Sequence, residues 1–287
     1  MGRYKTPADY RSALETKIIS QRDTTSMPVG RLRKSVAFDA FLARLSQANT
    51  GFVLKGGFAL ELRLQLSRST KDLDFVLKSE LRQSSKGTPK LLREILERAL
   101  SKTMINTDDR FFEFIISEAT IELNTGGWRY KVQSRLDGRK FEDFHIDVSS
   151  ADYLPDNIEV LAIESRARPS GEQTIYKVEI VTAEQHFAEK LHAYTLPRQS
   201  ENSRTKDLID MYLLINHGLD TKVANEMITA VFSHRETHQP PLELPAPPQS
   251  WEAQYLRMTS ELGITTDLQT MYASVSQYVK SISQQRP

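Results

Sequence analysis

Residues 53–77 read VLKGGFALELRLQLSRSTKDLDFVL, and the order of signals within them decides the fold. Val53 and Leu54 end a short apolar run, which Gly56 and Gly57 break where a strand can hand over to a helix. Ala59, Leu60, Leu62, Leu64 and Leu66 then give a helical segment with an apolar side, interrupted by Glu61, Arg63 and Gln65. Arg68 to Lys71 is a polar turn, and Asp72 to Leu77 returns to strand character. Residues two apart on a strand point the same way. Asp72 and Asp74 therefore share one face, and Leu73 and Phe75 take the other.

Two carboxylates side by side on a strand repel each other unless a cation sits with them. Mg²⁺ is a natural guest, being held by one or two carboxylates together with substrate phosphates; Mn²⁺ is an alternative. The glycine pair lets a phosphate approach the backbone, and the start of the following helix offers N–H donors and the positive end of its dipole. An Asp-x-Asp alone is ordinarily a polar strand end, and Gly-Gly alone a turn. Flanked by strands and joined by one helix, the two together point to a triphosphate cradle beside a metal site.

Composition bounds the rest. A chain of 287 residues allows one large or two modest domains with ample core. Lys+Arg 38 against Asp+Glu 37 gives no global basicity, so any nucleic-acid contact must come from a local patch. With Cys 0 there are no disulfides, thiolate metal sites or cysteine nucleophiles, which fits a reducing cytoplasm. The N-terminal MGRYKTPADYRSALETK lacks the apolar core of a signal peptide, and no apolar run is long enough to span a bilayer. A soluble, cytoplasmic protein without a membrane partner is expected.

Around the central stretch, helices are expected over 7–21 and 32–46. In the second, Arg31, Arg33, Lys34 and Arg44 read as an ordinary solvated face, with an RNA-backbone contact as the minority alternative. Residues 79–90 read as a loop and 91–100 as a helix. Strands are expected over 111–116, 119–123, 128–134 and 140–148, with turns at Gly126-Gly127 and Asp137-Gly138, a meander in a mixed or largely antiparallel sheet. On the last of these, His145 and Asp147 face away from Phe144, Ile146 and Val148. A strand over 174–181 leads to helices over 183–194, 204–214 and 222–232, then a proline-rich connection over 240–248 and a last helical region from Trp251. Thr182 is placed to cap the helix that carries Lys190. His234 and His238, with Glu236 between them, read as surface loop, there being no third ligand for a metal.

Gly56-Gly57 followed by Asp72-Leu73-Asp74 resembles the signature of the DNA polymerase beta-like nucleotidyltransferase superfamily. More narrowly, LKGGFALELRL…SRSTKDLDF resembles the AbiEii/AbiGii nucleotidyltransferase toxins, which include the MenT-type toxins. The spacing departs from the broad pattern, since residues 58–71 separate Gly57 from Asp72, which suggests a longer helix or turn. The resemblance implies a third acidic residue on a neighbouring strand, for which Asp147 is the candidate, as a metal ligand or general base. Glu189-Lys190-Leu191 … Arg204-x-Lys206-Asp207-x-x-Asp210 resembles later motifs of the same toxins, in which a lysine and a downstream aspartate are functional. Lys190 is then a point charge on the triphosphate, oriented by Asp207 or Asp210, with Asp207 favoured because it follows the basic pair.

The resemblance thus implies an α/β (α+β) protein: a nucleotidyltransferase domain with a mixed sheet over 1–180, and a mainly helical half over 181–287 that completes the nucleotide site. It implies transfer of a nucleoside monophosphate from an NTP to an acceptor, the 3′ end of a tRNA, with release of pyrophosphate, by a toxin that has a cognate antitoxin. Asp72, Asp74 and Asp147 would hold the metal; Gly56, Gly57, Thr70, Lys190, Arg204 and Lys206 would contact the nucleotide. A phosphate placed on Thr70 by an antitoxin would repel the incoming triphosphate. The competing readings are a nucleotidyltransferase acting on a small molecule or protein, and a non-catalytic module that binds RNA or a partner.

Overall fold

The computed structural model describes residues 4–25, 27–48, 50–66, 70–85, 88–101, 108–123, 126–165, 169 and 175–284. Arg68 and Ser69 of the expected polar turn, Lys86 and Gly87 of the expected loop, and Thr174 lie outside them. Helices α1 (Pro7–Thr25) and α2 (Val29–Leu45) open the chain, followed by β1 (Phe52–Lys55), α3 (Gly56–Leu64) and β2 (Asp72–Leu77). Then come α4 (Ser79–Ser85), α5 (Pro89–Leu100), β3 (Phe112–Glu122), β4 (Gly127–Leu136), β5 (Arg139–Ser149), β6 (Glu159–Glu164) and β7 (Ile175–Ile180). Helices α6 (Ala183–Thr195), α7 (Thr205–His217), α8 (Thr221–Arg235), α9 (Glu252–Glu261) and α10 (Leu268–Ser283) complete it. Two compact units are present, one drawn from 1–58, 69–154 and 158–180, the other from 59–68, 155–157 and 181–287.

The first unit is built on a mixed seven-stranded sheet in the order β3-β4-β5-β2-β1-β7-β6. Strands β3, β4 and β5 form the expected antiparallel meander, while β2 runs parallel to β5 and β1 parallel to β7. Asp137 (φ 56) and Gly138 (φ 64) both take positive φ between β4 and β5, as a two-residue type I′ hairpin requires. The apolar face of β2 and β5 carries Leu73, Phe75, Phe144, Ile146 and Val148, all buried. Phe38 and Phe41 of α2 cover it, their rings 5.0 and 5.6 Å from that of Phe144. Each such fully buried aromatic is worth roughly 1.5–3 kcal/mol of burial. The opposite face of the same two strands carries Asp72, Asp74, His145 and Asp147.

Four expectations in this unit are corrected. Ser79–Ser85 is a helix of about two turns, not loop; among its described side chains only Leu81 is buried, so no periodicity marked it. Strand β3 is continuous where two strands were expected, its register shifting between Ile116 and Ala119 and again before Ile121. Strand β6 was not expected at all. Arg44 is no solvated charge: it is 7% exposed and donates to the carbonyls of Leu100, Asp109 and Phe112 at 3.0, 2.9 and 2.8 Å. Burial pulls its guanidinium below the usual arginine range.

The second unit is helical. Thr182 caps α6 as its sequence predicts, its side chain accepting from the Gln185 N–H at 3.1 Å. Phe187, Leu191 and Tyr194 of α6, Leu208 and Met211 of α7, Ile228 and Phe232 of α8, and Val275 and Val279 of α10 are buried within it. The proline-rich segment is pinned here by hydrogen bonds from Tyr194 to the Pro245 carbonyl (2.9 Å) and from Tyr272 to that of Leu244 (2.8 Å). The helical region expected from Trp251 is formed by α9 and α10.

Candidate active site

In the first unit, the parallel register of β2 and β5 sets Asp72 beside His145 and Asp74 beside Asp147. Alternation puts all four side chains on the face opposite Leu73, Ile146 and Val148. The structure therefore brings the Asp-x-Asp pair and the third acidic candidate onto neighbouring positions of one sheet face. Asp72 is 32% exposed in its side chain and Asp147 15%. His145 Nδ1 lies 3.5 Å from Asp72 Oδ1.

Gly56 begins α3 directly after β1, with φ +69. A Cβ at this position would lie 2.0 Å from Asp74 Oδ2 and 2.9 Å from Asp74 Cβ. The glycine thus serves a close approach of the Asp74 side chain to the turn, besides the positive φ that glycine adopts without strain. Gly57 is different: a Cβ there would meet Thr70 Oγ1 at 3.5 Å, an ordinary contact. Thr70 accordingly faces the glycine turn, ahead of β2.

Two cations on this face went unread in the sequence. Arg129 on β4 is the cross-strand partner of Asp147. Its guanidinium grips both oxygens of that carboxylate, Nε to Oδ1 and Nη2 to Oδ2, each at 2.7 Å. Nη2 also lies 4.0 Å from Asp72 Oδ2. The hydrogen bond to Asp147, with the charges of Asp147, Asp72 and Asp74, holds the guanidinium above its usual range against the cost of burial. Lys55, the last residue of β1, is the cross-strand partner of Asp74 and forms an ion pair with the buried Asp152. The signal for both was available only as alternation: Arg129 and Lys131 in β4, and Lys55 next to the glycine pair.

Asp72 and Asp74 fit a hard divalent cation, which takes oxygen ligands from one or two carboxylates and the remainder from substrate and water. Gly56 leaves room for the Asp74 carboxylate at the turn, where a substrate phosphate would approach. Among the described residues no group of three or more His, Cys, Asp or Glu side chains is clustered as a metal site. Asp147, the third carboxylate, is engaged by Arg129 instead.

In the second unit, Lys190 of α6 lies 3.0 Å from Asp207 Oδ1 and 2.9 Å from Asp210 Oδ2, so both aspartate candidates meet it. Asp207 and Asp210 are one helical turn apart on α7. Their side chains are 7% and 2% exposed, and that of Lys190 17%. Burial disfavours the ammonium, but the charges of Asp210 and Asp207 outweigh it and raise its pKa above the usual lysine range. Arg204 precedes α7 and reaches Asp207 Oδ2 at 3.6 Å, while Lys206 is exposed.

His238 lies in the connecting segment after α8 but is half-buried rather than a surface residue. Its ring packs 4.7 Å from that of His192 and 4.9 Å from that of Phe232, and it hydrogen-bonds Thr195 at 2.8 Å. Burial, with the charge of Arg198, pushes the imidazole below its ordinary pKa. Among the described residues no helix is long and apolar enough to cross a membrane.

A family model described as "Nucleotidyl transferase AbiEii toxin, Type IV TA system" matches residues 40–280. Among solved structures, the chain resembles MenT4, a nucleotidyltransferase toxin from Mycobacterium tuberculosis H37Rv, with a TM-score of 0.56 at 16% identity, over 93% of this chain and 98% of that one. JHP933 from Helicobacter pylori gives a TM-score of 0.46 at 17% identity, over 88% of this chain and 91% of that one. At such identities the likeness to MenT4 is one of fold. No curated protein matches the chain.

Proposed function

The chain belongs to the AbiEii nucleotidyl transferase toxin family, and from that premise we propose that it transfers a nucleoside monophosphate from an NTP to the 3′ end of a tRNA, releasing pyrophosphate. Family membership places it in a toxin-antitoxin system and implies a cognate antitoxin. One observation supports the chemistry above all. Asp72 and Asp74 share a sheet face, and the Asp74 carboxylate rests against the glycine turn that opens α3.

Mg²⁺ bound by Asp72 and Asp74, with Asp147 as the third ligand or the general base, would neutralise charge on the triphosphate and favour attack by the acceptor oxygen. The residues of the chain do the rest. The N–H groups after Gly56 and Gly57 receive phosphate oxygens at the start of α3, and the Thr70 hydroxyl contacts the nucleotide beside them. The acceptor hydroxyl forms its bond to the α-phosphorus as the bond to pyrophosphate breaks, and its proton passes to a carboxylate of the face. In the second unit we assign Lys190, oriented by Asp207, a part in the same reaction on the strength of the sequence resemblance, with Arg204 and Lys206 as further phosphate contacts.

Incubation of the protein with total tRNA, Mg²⁺ and each α-labelled NTP in turn tests the proposal. Label on tRNA with the wild type, absent for Asp72→Ala/Asp74→Ala, is expected. Transfer that proceeds equally without RNA would replace the tRNA acceptor, and label incorporated by the double variant would overturn the assignment of the carboxylates.

A further inference from the structure

Arg129 holds the third carboxylate of the face by both of its oxygens, where a metal ligand would offer them. A carboxylate has two oxygens, and both Asp147 oxygens accept from the guanidinium fork at 2.7 Å. The pairing is set by the backbone. Arg129 and Asp147 are direct cross-strand partners in the antiparallel β4–β5 ladder, so the fork reaches the carboxylate without bending either strand. Asp147 is in turn the lateral neighbour of Asp74, and the same Nη2 stands 4.0 Å from Asp72. One guanidinium therefore spans toward carboxylates on two strands, the place where a cation shared by those strands would lie.

Arginine suits this position. Its charge is permanent, its planar fork matches a carboxylate, and it gives up less water than an ammonium of equal charge. The Arg129 side chain is 32% exposed and that of Asp147 15%, so the pair is reachable from solvent through the guanidinium and can open. A wholly buried pair would be locked in place; this one is not.

We propose that Arg129 is an exchangeable counter-ion, which holds and aims Asp147 in the ligand-free chain and yields that carboxylate to a divalent cation when one binds. The inference rests on the metal-dependent reading of Asp72 and Asp74. Arg129 is on this account a positioning residue that competes with the cation, and its removal has two opposite consequences. The ligand-free protein loses stability, because the Asp147 carboxylate loses the guanidinium that grips both its oxygens. Affinity for the cation rises, because nothing has to be displaced.

The test uses the full chain and Mn²⁺ alone, without nucleotide. Binding is followed by the paramagnetic resonance of free Mn²⁺ and by thermal unfolding, for wild type, Arg129→Gln, Arg129→Lys and Asp147→Asn. Circular dichroism checks each fold, and Arg129→Lys, which keeps the charge but not the fork, serves where Arg129→Gln does not fold. Arg129→Gln is expected to bind Mn²⁺ roughly five- to tenfold more tightly than wild type, and to unfold at lower temperature without metal but not with it. Arg129→Lys is expected to fall between the two, and the gain is expected to vanish in Arg129→Gln/Asp147→Asn. Mn²⁺ affinity unchanged or weakened in a folded Arg129→Gln, with wild type still binding, overturns this inference alone. Absence of Mn²⁺ binding in wild type and variants alike overturns the metal reading of the face as well.

Discussion

Replacing Gly56 by alanine separates the two uses of a glycine pair. The added methyl would sit 2.0 Å from Asp74 Oδ2, 2.7 Å from Cγ and 2.9 Å from Cβ. Rotating the carboxylate relieves the first contact, but the last is fixed by the backbone of β2, so the strand or the turn must move. The φ of +69 adds a left-handed cost of about 1–2 kcal/mol for a residue with a Cβ. Overpacking adds about 1–3 kcal/mol, for a total destabilisation of about 2–5 kcal/mol. Gly57→Ala is the internal control. Its Cβ meets Thr70 at ordinary distance, and an alanine in the first turn of α3 changes stability by no more than about 1 kcal/mol. Urea unfolding followed by circular dichroism measures both, and transfer of α-labelled nucleotide measures activity alongside. Gly56→Ala is expected to be less stable and, because Asp74 is displaced, inactive even where it folds. A Gly56→Ala protein as stable as Gly57→Ala and as active as the wild type would refute the reasoning.

Lys190→Met removes the ammonium shared by the buried carboxylates of Asp207 and Asp210 and is expected to cost about 3–5 kcal/mol in urea unfolding, most of it recovered in Lys190→Met/Asp207→Asn/Asp210→Asn. No recovery in the triple variant would mean that the lysine stem, not its charge, supports the unit. His238 has a folded pKa below its unfolded value, so the unfolded chain binds the extra proton first. Its contribution is therefore complete above about pH 6.5 and is lost as pH falls through the folded value; His238→Gln should flatten that part of the stability profile. Thr70→Glu, which puts charge at the glycine turn beside Asp72 and Asp74, is expected to abolish nucleotide transfer with little change in unfolding temperature, whereas Thr70→Ser should retain it.

What the sequence revealed and what it hid follow from the range of the interactions concerned. The β1–α3–β2 frame was legible because its signals are local: an apolar run, a glycine pair, and period-two alternation that places Asp72 and Asp74 together. Thr182 as a cap was legible for the same reason. Strand β6 was not, since Glu159 to Glu164 is an edge strand in which only Ile163 is buried, and its pairing with β7 is settled by the fold. The helix at Ser79–Ser85 has too few apolar residues to show a period. Arg129 is the instructive case. Its alternation in β4 was readable, but that it falls opposite Asp147 depends on the hairpin register and an irregularity between Ser134 and Arg135. His238 reaches His192 only because the chain after α8 folds back on α6, which no spacing within His234–His238 announces.

The central claim is that the carboxylate face of β2 directs a nucleotidyl group, and no other part of an NTP, to RNA. Parallel reactions with total tRNA and Mg²⁺, one with α-labelled and one with γ-labelled NTP, test it most directly. The account predicts label on tRNA from the α position alone, pyrophosphate carrying the γ label, and neither product with Asp72→Ala/Asp74→Ala. Label on RNA from the γ position, or transfer that survives in the double variant, would contradict it.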